Sequence, residues 1–304
     1  MKVLITTDMY TANVNGVVTS VKNLIEELEK KGHEVRVLTV SEKLKSHKDG
    51  NVYFIKSVSL EAVYPKVRMP ISYRHRFITE LIEWKPDVIH SQCEFFSYQF
   101  ASHISKKTGA PIVHTYHALY EQYVTYVLPS QRLGEYFIGK LSKMRLKHAD
   151  VIVAPTQKVE HVLRNYGIQN SIQVIPSGIA LEKHKGQMPA EERQARRQAL
   201  GIPEDHTVLL NLGRLGTEKN LTELLQLLSV ELTHNKKVTL LIVGDGPARQ
   251  ELEEMADHLG IRDHVVFTGM VPPDEVHTYY QLGDIFVSAS TSETQGLTYV
   301  EAAA

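Results

Sequence analysis

Short apolar runs alternating with helical patterns, in two successive series, constrain what this chain can fold into more than any of its other features. Val3-Leu4-Ile5-Thr6 is an apolar run that ends in a polar loop. Val17, Val21, Leu24, Ile25 and Leu28 then recur at helical spacing until Lys31-Gly32-His33 stops the helix. Val35-Arg36-Val37-Leu38-Thr39-Val40 reads as the next strand. The pattern continues with Val88-Ile89-His90, a helix near 96–107, Ile112-Val113-His114, a long helix near 131–148 and Val151-Ile152-Val153. It breaks after Val174-Ile175-Pro176-Ser177-Gly178, and residues 182–198 are highly polar with no strand pattern. A second series begins with Val208-Leu209-Leu210-Asn211 and a helix from about 220. Val238 to Val243, a helix from about 247, Val265-Val266-Phe267 and Ile285-Phe286-Val287-Ser288 complete it. Strands separated by helices pair in parallel, so the sequence predicts an α/β protein of two doubly wound, Rossmann-like domains. The expected boundaries are 1–176, a linker over 177–190 and a second domain over 191–304. Open α/β sheets bind ligands beyond the carboxyl ends of their strands, so functional side chains are expected just after each strand.

A chain of 304 residues suits two such domains, each with its own core. No apolar run approaches the roughly 20 residues of a membrane span, and Met1-Lys2-Val3-Leu4-Ile5 turns polar at Thr6 without a signal-peptide cleavage site. The single cysteine, Cys93, lies in a mostly apolar stretch and is expected to be a buried structural thiol, which fits a reducing cytoplasm. The net charge of −1 conceals an asymmetry: residues 1–176 carry 23 Lys and Arg against 16 Asp and Glu, and the remainder carries 11 against 19. The basic half is expected to face an anionic surface or ligand, although ordinary solvated charge gives the same split. No nucleic-acid partner is expected.

Five segments hold chemistry-bearing side chains at strand ends. Thr7 to Val17 leaves the first strand, and Gly16 permits close backbone approach where the helix begins. The spacing is not G-x-G-x-x-G, so a nicotinamide cofactor gains no support. In His114-Thr115-Tyr116-His117, His114 reads as a core histidine and His117 as the functional candidate; no third ligand stands at metal-binding spacing. Gly213-Arg214-Leu215-Gly216-Thr217-Glu218-Lys219-Asn220 places two cations around a glycine turn. They suit a diphosphate, Arg214 as a planar fork and Lys219 as a point charge, or else they are two solvated cations. Asp245, in Val243-Gly244-Asp245-Gly246-Pro247, reads as a turn residue or cap. Glu293 and Glu301 bracket the Gln295-Gly296 loop and the start of a helix from Leu297. That helix either offers its first amides to a phosphate and the carboxylates to sugar hydroxyls, or is an ordinary surface helix with an acidic cap.

The helix near 131–148 has a mixed character. Leu133, Tyr136, Phe137, Leu141, Met144 and Leu146 give apolar bulk, and Arg132, Lys140, Lys143, Arg145, Lys147 and His148 give positive charge. Such a helix packs on its sheet or lies on an anionic membrane surface. Lys66, Arg68, Arg74, His75 and Arg76 in the same domain favour the membrane.

Taken together, Asn15-Gly16-Val17, Gly213-Arg214 with Lys219, and Glu293-x7-Glu301 in two α/β domains resemble retaining glycosyltransferases of the GT-B fold, family 4. His117-Ala118-Leu119-Tyr120-Glu121-Gln122-Tyr123, His90-Ser91-Gln92-Cys93-Glu94-Phe95 and Asn15-Gly16-Val17-Val18-Thr19-Ser20 are more narrowly similar to bacterial 1,2-diacylglycerol 3-glucosyltransferases. The resemblance implies an N-terminal acceptor domain and a C-terminal nucleotide-sugar domain facing a cleft. It implies glucose transfer from UDP-glucose, a substrate rather than a bound cofactor, to the 3-hydroxyl of 1,2-diacylglycerol. The protein would sit peripherally on the cytoplasmic face of the cell membrane. Arg214 and Lys219 would hold the donor diphosphate and Glu293 the sugar hydroxyls. The amides of Gly296, Leu297 and Thr298 would meet phosphate and sugar, and Glu301 the ribose. Gly16 would let the first loop approach the diphosphate, and His117 would line the acceptor side. Front-face displacement would use the leaving phosphate oxygen as base, so no glycosidase-type carboxylate pair and no metal are expected. A family-4 transferase with a soluble or polyprenyl-linked acceptor, and a sugar-nucleotide-binding protein without turnover, remain alternatives. Asn15-Gly16 departs from the two glycines common in this first loop. The chain also ends three residues after Glu301, where the family continues, so a truncated second domain is expected.

Overall fold

The computed structural model describes residues 1–10, 16–60, 68–117, 131–184 and 186–304. It divides into two compact units, Met1–Gly178 and Ile179–Ala304. The first unit is a mixed sheet of β1 (Lys2–Thr6), β2 (Glu34–Ser41), β3 (His47–Asp49), β4 (Val52–Ser59), β5 (Arg68–Pro70), β6 (Val88–Ser91), β7 (Ile112–Thr115), β8 (Val151–Ala154) and β9 (Ser171–Val174). Their order is β3-β4-β2-β1-β6-β7-β8-β9, with β5 on β4. The pairs from β4 through β2 and β1 to β9 are parallel, and β3 and β5 pair antiparallel with β4. The helices are α1 (Gly16–Lys30), α2 (Arg76–Trp84), α3 (Phe96–Thr108), α4 (Gln131–Leu146) and α5 (Gln157–Asn165).

Strand periodicity explains the two layers. Val3 and Ile5 of β1, with Val35 and Val37 of β2, point to one face and pack with Val17, Val21, Leu24, Ile25 and Leu28 of α1. Leu4, Leu38, Ile89, Ile112 and Ile152 point to the other face and join Phe77, Phe100, Ile104 and Leu163 from α2, α3 and α5. β1 is buried from Val3 onward because both faces are covered, as expected of a parallel strand.

Between β2 and β6 the structure contains a hairpin, a short strand and a helix that the alternation pattern passes over. β3 and β4 face each other across Gly50-Asn51, with Gly50 at φ +52. Gly50-Asn51 is a hairpin signal, yet three-residue β3 is too short to carry periodicity. The polar stretch without a strand pattern contains helices α6 (Leu181–His184) and α7 (Ala190–Ala199). Lacking an apolar stripe, α7 is held by ionic contacts.

The second unit has β10 (Thr207–Leu212), β11 (Val238–Val243), β12 (Val265–Gly269) and β13 (Ile285–Phe286) in the order β12-β11-β10-β13, all parallel. Its further helices are α8 (Leu221–Glu231), α9 (Arg249–His258), α10 (Val276–Tyr280) and α11 (Leu297–Ala303). β11 is buried throughout. Leu240 and Ile242 pack toward α8 and α9, and Leu241 and Val243 toward Ile202, Val271 and Leu282. β13 is shorter than its apolar run, because beyond Phe286 the side chain of Asn211 takes the Val287 carbonyl.

An ionic clamp fixes α7 to the turn before β13. Arg197 is 5% exposed, and its guanidinium donates to the Leu282 carbonyl and lies 2.8 Å from Asp284. Arg193 donates to the carbonyls of Gln281 and Gly283 and to Asp284, whose other oxygen accepts from the Val208 amide. Burial alone would raise the Asp284 carboxyl. The Val208, Arg193 and Arg197 hydrogen bonds outweigh burial and hold it below its ordinary value. Arg197→Met should therefore cost about 1–2 kcal/mol in urea denaturation, through the lost hydrogen bonds to the Leu282 carbonyl and the lost contact with Asp284, which keeps Arg193. A change under about 0.5 kcal/mol would contradict the clamp. The contribution of Asp284 is complete above 3.8 and fades as pH falls through its lower folded value, so Asp284→Asn should flatten that acid limb.

Candidate active site

Glycine turns at the carboxyl ends of β10 and β11 bind directly to one another. The Gly213 amide donates to Val243, the Leu215 amide to Asp245 and the Ala248 amide to Leu215. A Cβ on Gly244, at φ +135, would lie 2.0 Å from the Gly213 carbonyl oxygen, and one on Gly246 would lie 2.4 Å from that of Leu215. Side chains are excluded at both positions, so backbone contacts fix the segment that carries Arg214. Asp245 accepts from the Gly246 amide as a turn residue.

Three sequence candidates meet carboxylate or phenol partners here, and a fourth, Glu293, is one of those carboxylates. The Arg214 guanidinium pairs with Glu218, whose side chain is 4% exposed and tucked over Gly216. Lys219 ends the short 3-10 turn Thr217–Lys219, and its Nζ lies 2.6 Å from Glu293 Oε1. Those two side chains are 27% and 25% exposed, so water screens the pair only in part. Glu301 on α11 accepts from the Tyr280 hydroxyl at 2.7 Å. Gly296 adopts φ +72 just before α11, and a Cβ there would strike the Tyr299 ring at 2.1 Å. Leu297 and Thr298 open the helix. The sequence patterns did not reveal Glu218 and Tyr280. Glu218 lies four residues from Arg214, a spacing that would have shown it, whereas nothing local links Tyr280 to Glu301.

Gly16 and His117 belong to the first unit. Gly16 is the exposed first residue of α1, and the preceding Asn15 lies outside the described residues. His117 follows β7, with Nε2 2.7 Å from Gln92 Oε1. Ala118 to Tyr123, quoted for the narrower resemblance, lie outside the described residues, as does Lys66. Around His117 is a buried polar cluster that the motifs did not reveal. His90 bonds the Thr115 hydroxyl at 2.8 Å, and fully buried His114 approaches Glu94 at 3.9 Å. Asp8 accepts from the Ser97 amide at 2.7 Å, in the first turn of α3. Burial pushes Asp8 up to about 7, opposed by the Ser97 hydrogen bonds and reinforced by Glu94. It lowers His90 to about 4 and His117 to about 3, with neighbouring histidines adding to each shift. His117 is thus a neutral imidazole at physiological pH, able to hydrogen-bond and carrying no charge. Cys93 is buried, as expected, and its thiol is pushed well up by that burial.

α4 rests on the unit through Gly139, packed on the Tyr166 ring, and through buried Ser142 and Leu146. Its outer face exposes Tyr136, Phe137 and Met144 among Lys140 and Lys143, with exposed Lys147 just past its end. Among the described residues no helix is long and apolar enough to cross a membrane, and no group of three His, Cys, Asp or Glu could hold a metal ion.

Residues 14–183 match the family described as Glycosyltransferase Family 4, and residues 192–304 match Glycosyl transferases group 1. The chain belongs to glycosyltransferase family 4. It is 35% identical over 310 residues to the alpha-monoglucosyldiacylglycerol synthase of Streptococcus pneumoniae, covering 100% of this chain and 69% of that protein. The protein of the same description from Acholeplasma laidlawii is 32% identical over 311 residues, covering 100% and 78%. Anabaena HepE in complex with UDP and glucose superimposes with a TM-score of 0.73 at 17% identity, covering 99% of this chain and 78% of that one. The fold of this glycosyltransferase is accordingly GT-B.

The glycine contacts make a specific prediction. Gly244→Ala should cost about 2 kcal/mol in thermal or urea denaturation through strain and the Gly213 clash, and should weaken UDP binding by moving Arg214. Gly178→Ala, with nothing within 4 Å, should change neither quantity. Equal behaviour of the two variants would contradict the role given to the glycine contacts.

Proposed function

We propose that this glycosyltransferase moves glucose from UDP-glucose to the 3-hydroxyl of 1,2-diacylglycerol, with retention, at the cytoplasmic face of the membrane. The observation that carries the donor reading is the 2.6 Å meeting of Lys219 and Glu293, 74 residues apart, beside the strand-end segment that carries Arg214. A diphosphate and a sugar present opposite chemistries side by side, and so do a cation and a carboxylate. The names of the relatives that match along the whole of this chain support the acceptor, and the bound UDP-glucose of a related HepE structure supports the donor. Those names specify an alpha product, and UDP-glucose is an α-glycoside, so an α product corresponds to retention.

In this reading the donor diphosphate takes Arg214 and Lys219 from their carboxylate partners. Arg214 binds it as a fork and Lys219 as a point charge. Glu293, released by Lys219, accepts from the glucose hydroxyls, and Glu301 accepts from the ribose. The amides of Gly296, Leu297 and Thr298 meet the phosphate and sugar, and Gly16 lets the first loop approach the diphosphate. The charge that develops on the leaving UDP most needs stabilising in the transition state, and the two cations serve it. A leaving phosphate oxygen takes the proton of the attacking acceptor hydroxyl as the new glycosidic bond forms on the same face. Neutral His117 hydrogen-bonds near the reacting carbon without adding charge. The exposed aromatic and lysine face of α4 rests on anionic lipid.

Radiolabelled UDP-glucose with diacylglycerol liposomes should yield a lipid-extractable product. Arg214→Ala and Lys219→Ala should each reduce that rate by about a hundredfold or more. Near-normal rates in both would refute the diphosphate assignment, and label found only on a soluble acceptor would refute the lipid. Changing Lys140, Lys143 and Lys147 together to Glu should reduce co-sedimentation with anionic liposomes, most at low salt. Unchanged sedimentation would reject α4 as the contact.

A further inference from the structure

The Glu301 carboxylate does not stand alone on α11. The Tyr280 hydroxyl, from the last residue of α10, donates to its Oε2 at 2.7 Å. The Tyr280 ring is itself fixed. It tilts against Phe286 of β13 at 6.1 Å, and Phe286 meets the Tyr299 ring edge-on at 5.7 Å. Tyr299 in turn donates to the Ser288 hydroxyl at 2.9 Å. Three aromatic rings from α10, β13 and α11 thus form a supported row that ends on one carboxylate oxygen.

We propose that Tyr280 is a positioning residue that sets the plane of the Glu301 carboxylate for two vicinal hydroxyls of the donor ribose. The inference rests on the reading of Glu301 as the ribose contact. A glutamate side chain turns about three bonds, and a single hydrogen bond from a separate element removes much of that freedom. An ionised carboxylate accepts at about four lone-pair sites. Tyr280 occupies one of them on Oε2, and both oxygens retain capacity for a diol. Burial, with the nearby Glu301 charge second, pushes the phenol well up, so Tyr280 stays protonated and remains a donor. Recognition of a vicinal diol needs both hydroxyls to meet the carboxylate in one plane, and this is the degree of freedom that Tyr280 fixes. The expected consequence is discrimination between ribose and its deoxygenated forms rather than a general gain in affinity.

Titration calorimetry of the 304-residue protein with UDP and with 2′,3′-dideoxyuridine diphosphate reads this directly. The unaltered protein should prefer UDP by about tenfold or more, the worth of a hydrogen bond to a charged group. Tyr280→Phe keeps the ring and loses the hydroxyl. It should weaken UDP by about tenfold and leave the dideoxy compound unchanged, which removes the preference. Glu301→Ala should remove the preference as well. Preference lost in Glu301→Ala and kept in Tyr280→Phe would overturn the positioning role while leaving the ribose contact standing. Equal weakening of both nucleotides in Tyr280→Phe would also overturn it, since a loosened helix pair has that effect. Preference kept in Glu301→Ala would overturn the ribose reading of Glu301 and the inference with it.

Discussion

The candidate donor site depends on the backbone contact between the turns that end β10 and β11. With no Cβ on Gly244 or Gly246, the Gly213 and Leu215 carbonyls come closer than any side chain would permit. The turns then exchange main-chain hydrogen bonds and act as one rigid ledge. Arg214 leaves that ledge, and Gly216 provides the space into which Glu218 folds back to hold it. Lys219 follows on the closing 3-10 turn and reaches Glu293. Backbone geometry holds the segment that bears both cations, so an arriving anion has only to exchange their side-chain partners.

The two units use their strand ends differently. The second arranges opposite charges as partly exposed pairs that a ligand phosphate can exchange. The first collects Asp8, Glu94, His90, His114 and His117 around β1, β6 and β7 under enough burial that His90 and His117 stay neutral. Neutral imidazoles suit hydroxyl recognition, whereas a phosphate calls for Arg and Lys. This division matches the proposed split between an acceptor side and a donor side within the family.

Much of the framework was legible in the sequence, for a physical reason. Parallel strands covered on both faces must be nearly continuous apolar runs, so Val3–Thr6, Val35–Val40 and Val238–Val243 stand out. Glycines must then sit where chains turn tightly at the strand ends. The β3–β4 hairpin was less legible because three residues cannot display a period, and α7 because it is held by Arg193 and Arg197 without an apolar stripe. Arg214, Lys219, Glu293 and Glu301 could be named from their spacing, and so could Glu218, but the pairing of Lys219 with Glu293 and of Glu301 with Tyr280 could not. Tyr280 and Glu301 lie 21 residues apart, and Asp8 and Ser97 lie 89 apart, joined by packing that no local pattern encodes.

The central claim is that Arg214 and Lys219 exchange carboxylate partners for a donor diphosphate. A crystal structure of the protein with UDP-glucose tests this most directly. Phosphate oxygens should then lie within hydrogen-bond distance of both cations, with the Lys219–Glu293 pair opened and a glucose hydroxyl on Glu293. A bound nucleotide whose phosphates touch neither cation, with the Lys219–Glu293 pair intact, would contradict it.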